Sequence, residues 1–268
     1  MGGEGSTNWF LRPEPRPQAR VRLLCFPYAG GGAAVFRSWG KCLPSWVDFC
    51  AVQPPGRGWR FRERPYTRVA DLVDAAADAV EPLLDIPYLL FGHSLGAIVA
   101  FELARELRRR HGSSPLRMVA SAHRAPHIAD ARPPVHTLSE ADFLSEVQRR
   151  YDGGIPAEVM QEPEILQLLL PALRADLEMD WTYRHEPGRL LDCPIIAVGG
   201  DRDETVSVEQ VTAWKRHTTG PSCTEVFPGD HFFLHGAESA LATLLLRGLS
   251  GLARGSSWNA AAEARELR

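Results

Sequence analysis

Short apolar runs alternate with stretches of helical periodicity along most of the chain. Val21-Arg22-Leu23-Leu24-Cys25-Phe26 is closed by Pro27 and a glycine cluster, and Val47–Val52 is ended by Pro54-Pro55-Gly56. Each has the length of a buried strand bounded by turn residues. From Val69 to Leu84 the apolar positions Val69, Leu72, Val73, Ala76, Ala77, Val80 and Leu83-Leu84 follow helical spacing. Tyr88–Phe91 predicts a strand, and Ala97–Arg110 a helix that starts apolar and ends basic, as the helix dipole favours. Met118–Ala122 predicts a further strand. From about Asp130 to Leu191 the strand rhythm stops. Thr137 with Glu140 three residues on has capping-box spacing, and Pro163–Asp180 predicts a helix. Alternation resumes with Pro194–Val198, a helix over Val208–Thr218, a strand over Thr224–Phe227 and a helix over Ser239–Leu249.

Strands separated by helices predict an α/β protein with a mostly parallel central sheet flanked by helices. Residues 20–250 are expected to form this domain, with an inserted helical lid at about 130–191. Residues 1–19, rich in glycine and proline, read as a flexible N-terminal arm, and 251–268 as a small polar tail. Ligands on such sheets sit at the C-terminal strand ends, so the chemistry is expected in the loops that follow the strands.

Composition narrows the class. The 268 residues are 44% hydrophobic and 24% charged, too apolar for a disordered chain. A net charge of −3 argues against nucleic-acid binding by bulk electrostatics. No apolar run approaches the ~18 residues of a membrane span, and Met1–Arg20 lacks the apolar region of a secretory signal. Met1-Gly2 with Ser6 meets the formal pattern of a myristoylation start, which a glycine-rich terminus satisfies cheaply. Five scattered cysteines without metal-ligand spacing read as reduced thiols in a cytoplasmic protein. A monomer is the default expectation. Lys41 and Lys215 are the only lysines, an arginine skew that speaks of a GC-rich coding sequence.

Gly92-His93-Ser94-Leu95-Gly96 is a G-x-S-x-G run between an expected strand and an expected helix. That setting requires a tight turn that pushes the serine out at the sheet edge. A serine hydroxyl needs a base to become a nucleophile. The acid and histidine are expected later in the chain, in that order. The loop Gly199-Gly200-Asp201-Arg202-Asp203 follows one late strand, and Gly229-Asp230-His231 follows the next. A Ser94–Asp203–His231 triad fits both positions. Asp201 is the rival acid, and His235, His93, His123 and His127 are rival histidines. Acyl transfer also needs N–H donors for the oxyanion. The backbone N–H of Leu95 is one candidate; Ala29, from the loop after the first strand, is the other, with Tyr28 or Gly30 as alternatives.

Phe26-Pro27-Tyr28-Ala29-Gly30-Gly31, Pro55-Gly56-Arg57, Gly92–Gly96, Gly200-Asp201-Arg202-Asp203 and Pro228-Gly229-Asp230-His231-Phe232-Phe233-Leu234 occur in one order. Together, over roughly residues 20–250, they resemble the type II thioesterases of polyketide synthase and nonribosomal peptide synthetase pathways, in the α/β-hydrolase superfamily. Arg174-Ala175-Asp176 resembles a further feature of that family. The resemblance implies hydrolysis of acyl groups from the phosphopantetheine arm of a carrier protein, to clear stalled or aberrant units. It implies the same Ser94, Asp203 and His231, and no cofactor of the enzyme's own. The chain departs at Tyr28, where the family commonly has histidine, and at Asp230, where it commonly has glycine. Leu166, Leu169, Leu170 and Met179 are candidate lining residues of the acyl chamber. Arg57, Arg60, Arg62, Arg64 and Arg68, or Arg108-Arg109-Arg110, are candidate docking cations. Three alternatives share the triad motifs. They are an esterase of free small esters, a medium-chain fatty acyl carrier-protein thioesterase (which the arginine skew argues against), and a catalytically silent binding subunit.

Overall fold

The computed structural model describes residues 7–151 and 154–253. Strands β1 (Phe10–Leu11), β2 (Val21–Phe26), β3 (Val47–Val52), β4 (Tyr88–His93), β5 (Arg117–Ser121), β6 (Ile195–Gly200) and β7 (Ser222–Phe227) form one sheet. Its order is β1-β3-β2-β4-β5-β6-β7. Every neighbouring pair is parallel except β1 with β3. The helices are α1 (Val69–Val80), α2 (Leu95–His111), α3 (Glu140–Arg150), α4 (Ala157–Met160), α5 (Pro163–Thr182), α6 (Val208–Thr212), α7 (Glu238–Leu246) and α8 (Ser250–Ala253).

The unbroken apolar runs reflect burial on both faces of a parallel sheet. Leu24, Phe26, Cys50, Val52 and Leu90 pack with residues of α1 and α2, while Leu23, Cys25, Phe49, Ala51, Leu89 and Phe91 pack with α7. This is the α/β-hydrolase architecture. Helices α3 to α5 lie between β5 and β6 in the chain and build a small core of their own from Val135, Phe143, Val147, Leu170, Leu173 and Leu177.

Several local expectations change. The described part of the N-terminal arm is pinned down rather than loose. Phe10 and Leu11 pair antiparallel with Val52 and Ala51, Trp9 is buried under the Arg60 guanidinium, and Arg16 donates to the carbonyls of Pro44 and Val47. The cap of α3 is Ser139, whose hydroxyl accepts from Asp142 N–H, and not Thr137, which hydrogen-bonds Pro134 O instead. Helix α1 stops at Val80 because Pro82 has no N–H to continue the ladder, and a 3₁₀ turn takes over Glu81–Leu83. The helix expected over Val208–Thr218 is α6 followed by a 3₁₀ segment, Ala213–His217. The expected tail beyond residue 253 and the Gly2–Ser6 pattern lie outside the described residues.

Candidate active site

The turn from β4 into α2 is the tightest point of the fold. Ser94 sits at φ 53° and ψ −126°, a conformation that a non-glycine residue adopts only under strain. Its N–H is held by Ser121 O at 2.8 Å. A β-carbon at position 92 would collide with the Gly96 carbonyl, and one at position 96 with the Phe26 carbonyl. Glycine at both positions is therefore a requirement of close backbone approach.

Ser94 Oγ lies 3.0 Å from His231 Nε2, and His231 Nδ1 lies 2.8 Å from Asp203 Oδ2. The loops after β4, β6 and β7 thus bring the three sequence-picked side chains together. Burial opposes the charge on Asp203, but hydrogen bonds from His231 and Thr205 outweigh it and hold the carboxyl below its ordinary range. Thr205 donates to Asp203 Oδ1 at 2.6 Å, and its oxygen also lies 2.8 Å from His231 Nδ1. Sequence reading overlooked Thr205, although Asp-x-Thr is an Asx-turn signature: the N–H groups of Thr205 and Val206 both donate to Asp203 Oδ1.

The rivals take other places. Asp201 Oδ1 accepts from Gly229 N–H and braces the histidine loop from below. Asp230 is exposed and accepts from Phe232 N–H at 2.7 Å, so its carboxylate serves the turn and not the imidazole. His93 is fully buried. Its Nε2 donates to the His231 carbonyl at 2.8 Å, and its Nδ1 accepts from the Ser121 hydroxyl at 2.9 Å. Burial and the facing His231 push its imidazole down to about 3, which keeps it neutral. His93 thus anchors the backbone of His231. His123 bonds Asp180, His127 bonds His217, and His235 meets the Tyr28 hydroxyl at 3.2 Å.

The loop after β2 carries the candidate oxyanion donors. Gly30 N–H is taken by Asp176 Oδ2 at 2.7 Å, and Gly31 N–H by Tyr28 O at 2.9 Å. Gly30 therefore drops out as an oxyanion donor. Ala29 and Leu95 both line the cavity above Ser94, together with Tyr28, Val147, Tyr151, Leu173, Leu177, Asp180, His231 and Phe232. Of the apolar residues expected to line a chamber, none does. Met179 belongs to the sheet-side core and Leu170 to the core of the helical segment, with Leu166 packed against it. Leu169 is half-buried outside the cavity. Helix α5 turns the face of Leu173, Leu177 and Asp180 to Ser94, a register that the apolar pattern alone did not show.

The expected docking cations divide. Arg57 is buried against Asp176. Arg60 is buried over Trp9 and paired with Glu63. Arg108 donates to the carbonyls of Arg189 and Leu190, Arg109 pairs with Glu106, and Arg110 pairs with Asp74, Asp78 and Glu106. Arg62, Arg64 and Arg68 are exposed and have no ion-pair partner among the described residues.

The comparisons with known proteins agree with this geometry. A thioesterase-domain family model matches residues 21–247. The chain is 42% identical over 228 residues to the thioesterase PikA5 of Streptomyces venezuelae, covering 85% of this chain and 80% of that protein. It is 36% identical to the gramicidin S biosynthesis protein GrsT of Aneurinibacillus migulanus, covering 86% of this chain and 89% of that one. The solved structure of BorB, a type II thioesterase from the borrelidin biosynthetic cluster, superposes with a TM-score of 0.80 at 32% identity, over 91% of this chain and 97% of that one. Among the described residues, no helix is long and apolar enough to cross a membrane. On these matches, and on a strained serine elbow hydrogen-bonded through histidine to a buried aspartate, the chain belongs to the thioesterase family, among its type II members.

Proposed function

We propose that the enzyme clears stalled or aberrant acyl units from the phosphopantetheine arm of carrier domains in a modular polyketide or peptide synthase. The observation that carries this reading is the continuous chain from Ser94 Oγ to His231 (3.0 Å) to Asp203 (2.8 Å) at the tip of the elbow. In the mechanism, His231 takes the Ser94 proton as Oγ attacks the thioester carbonyl. Asp203 holds the imidazole with its N–H on Nδ1 and stabilises the imidazolium. The N–H groups of Ala29 and Leu95 receive the oxyanion, and His231 then protonates the departing pantetheine thiolate. Water, deprotonated by His231, attacks the acyl-serine ester and releases the free acid.

Access supports a substrate presented on an arm. The space at Ser94 is a cavity of about 20 Å³, room for about one water. A groove of about 820 Å³ shares Tyr28, Gly154 and Phe232 with that cavity and runs from the end of β7 along the following loop to Ala240 in the first turn of α7. Elsewhere, Trp59 and Phe61 are 46% and 51% exposed, Arg62 lies over the Phe61 ring, and Arg64 and Arg68 follow in the chain as exposed cations, a segment that suits an acidic carrier surface.

The test compares one acyl group on a carrier protein, on a small pantetheine mimic and on a simple oxygen ester. Release from the carrier should be fastest and should disappear in Ser94→Ala. Arg62→Glu with Arg64→Glu should raise KM for the carrier while leaving the mimic unchanged. Equal or better turnover of the oxygen ester would assign the chain to general esterases.

A further inference from the structure

The catalytic scheme uses the N–H of Ala29, which sits in a glycine-rich loop. Such a loop has no preferred shape of its own, yet an oxyanion donor works only when it is fixed before the reaction. Side chains from two other parts of the chain supply the fixing. Asp176, on α5, accepts the Gly30 N–H at 2.7 Å. Arg57, from the loop after β3, grips the same carboxylate with both Nη atoms and donates to Gly31 O at 3.2 Å. Gln53 accepts the Ala33 N–H at 3.0 Å and donates to Arg57 O at 2.9 Å. The side chains of Arg57 and Asp176 are each only 5% exposed.

A buried ion pair is a poor way to gain stability, because desolvating two charges offsets most of their attraction. What this pair contributes is direction. A carboxylate held by a two-pronged guanidinium has a fixed orientation, and here one of its oxygens fixes the peptide that follows Ala29. The same helix presents Leu173 and Leu177 to the catalytic cavity, and Ala29 packs against the cluster that contains them. Seating α5 on the core and setting the donor loop are therefore one event.

We propose that Asp176, oriented by Arg57, is a positioning residue: it occupies Gly30 N–H from the helical segment and so sets the Ala29 N–H as the oxyanion donor. This rests on the assignment of Ala29 and Leu95 as the oxyanion donors.

The experiment uses the full-length enzyme, an acyl-pantetheine substrate and a trifluoromethyl ketone of the same pantetheine chain, which forms a hemiketal oxyanion on Ser94. The double variant Arg57→Met/Asp176→Leu removes both charges together and strands neither. It should lower kcat by about 10²-fold, the scale of losing one oxyanion donor. Ketone affinity should weaken by a similar factor while KM changes little. Asp176→Asn, which keeps an acceptor for Gly30 but loses the charge, should fall in between, and it carries the test should the double variant fail to fold. A purely structural pair would move the melting temperature and KM and leave ketone affinity in step with substrate affinity. That result, or an unchanged kcat, overturns the proposal. Wild-type enzyme that neither turns over the substrate nor binds the ketone would instead overturn the underlying catalytic scheme, and the proposal with it.

Discussion

Two carboxylates two residues apart serve different neighbours, and the turn between them decides which is which. Asp203 closes an Asx turn onto Thr205 and Val206 and so faces His231, whereas Asp201 faces Gly229. Asp203→Asn should lower kcat by about 10⁴-fold, as loss of the correct histidine tautomer does in serine hydrolases. Asp201→Asn should cost only a small factor and appear mainly as reduced stability; steady-state kinetics on both variants separates the roles. A second residue-scale effect concerns pH. Burial, with His185 and His127 alongside, pushes the His217 imidazole down to about 4. As pH falls below the ordinary histidine value, the unfolded chain takes up a proton that the native site refuses. The stability from neutral His217 is thus full above about pH 6.5 and is lost toward pH 4. The melting temperature of His217→Gln, followed over that window, should fall less steeply than that of the wild type.

At the scale of elements, strands were the easiest to read. Strands β2, β3, β4 and β6 each carry an apolar run closed by proline or glycine, as burial on both sheet faces demands, whereas the two-residue β1 and the half-buried, polar β7 lack such a run. Helix ends were harder, because capping depends on which of several nearby hydroxyls the incoming chain orients. Thr137 has the capping-box spacing, yet the path from Val135 into α3 places Ser139 at the cap. Ser139→Ala should therefore cost about 1 kcal/mol in urea unfolding, while Thr137→Ala should be close to neutral. The register of α5 was also not legible. Its apolar residues, from Ile165 to Leu177, cover more than one face, so periodicity left open which of them meet the cavity.

Across the whole molecule, segments distant in sequence complete one another's edges. Strand β1 covers the open side of β3, and Trp9 packs beneath Arg60, so the N-terminal segment is part of the fold. Trp9→Ala should destabilise the protein by about 3 kcal/mol, measured by denaturant unfolding. A change below about 0.5 kcal/mol, the range of an unconstrained surface site, would return the segment to a loose arm.

The α/β alternation, the order of the chemical loops and Ser94 at the elbow can be read from the chain alone, as can Asp203 and His231 as the favoured partners, with Asp201 left as a rival acid until its bond to Gly229 is seen. Local spacing and turn chemistry are written in consecutive residues, so these can be read without coordinates. It took the packed molecule to show that Arg57 is a buried clamp and not a docking cation, and that Gly30 N–H belongs to Asp176. The same packing decided that Leu173 and Leu177, and not Leu170 or Met179, face the nucleophile. Arg57 and Asp176 are 119 residues apart. Which charge finds which partner across such a separation depends on how the helical segment packs on the sheet, and that packing energy is not contained in any local pattern.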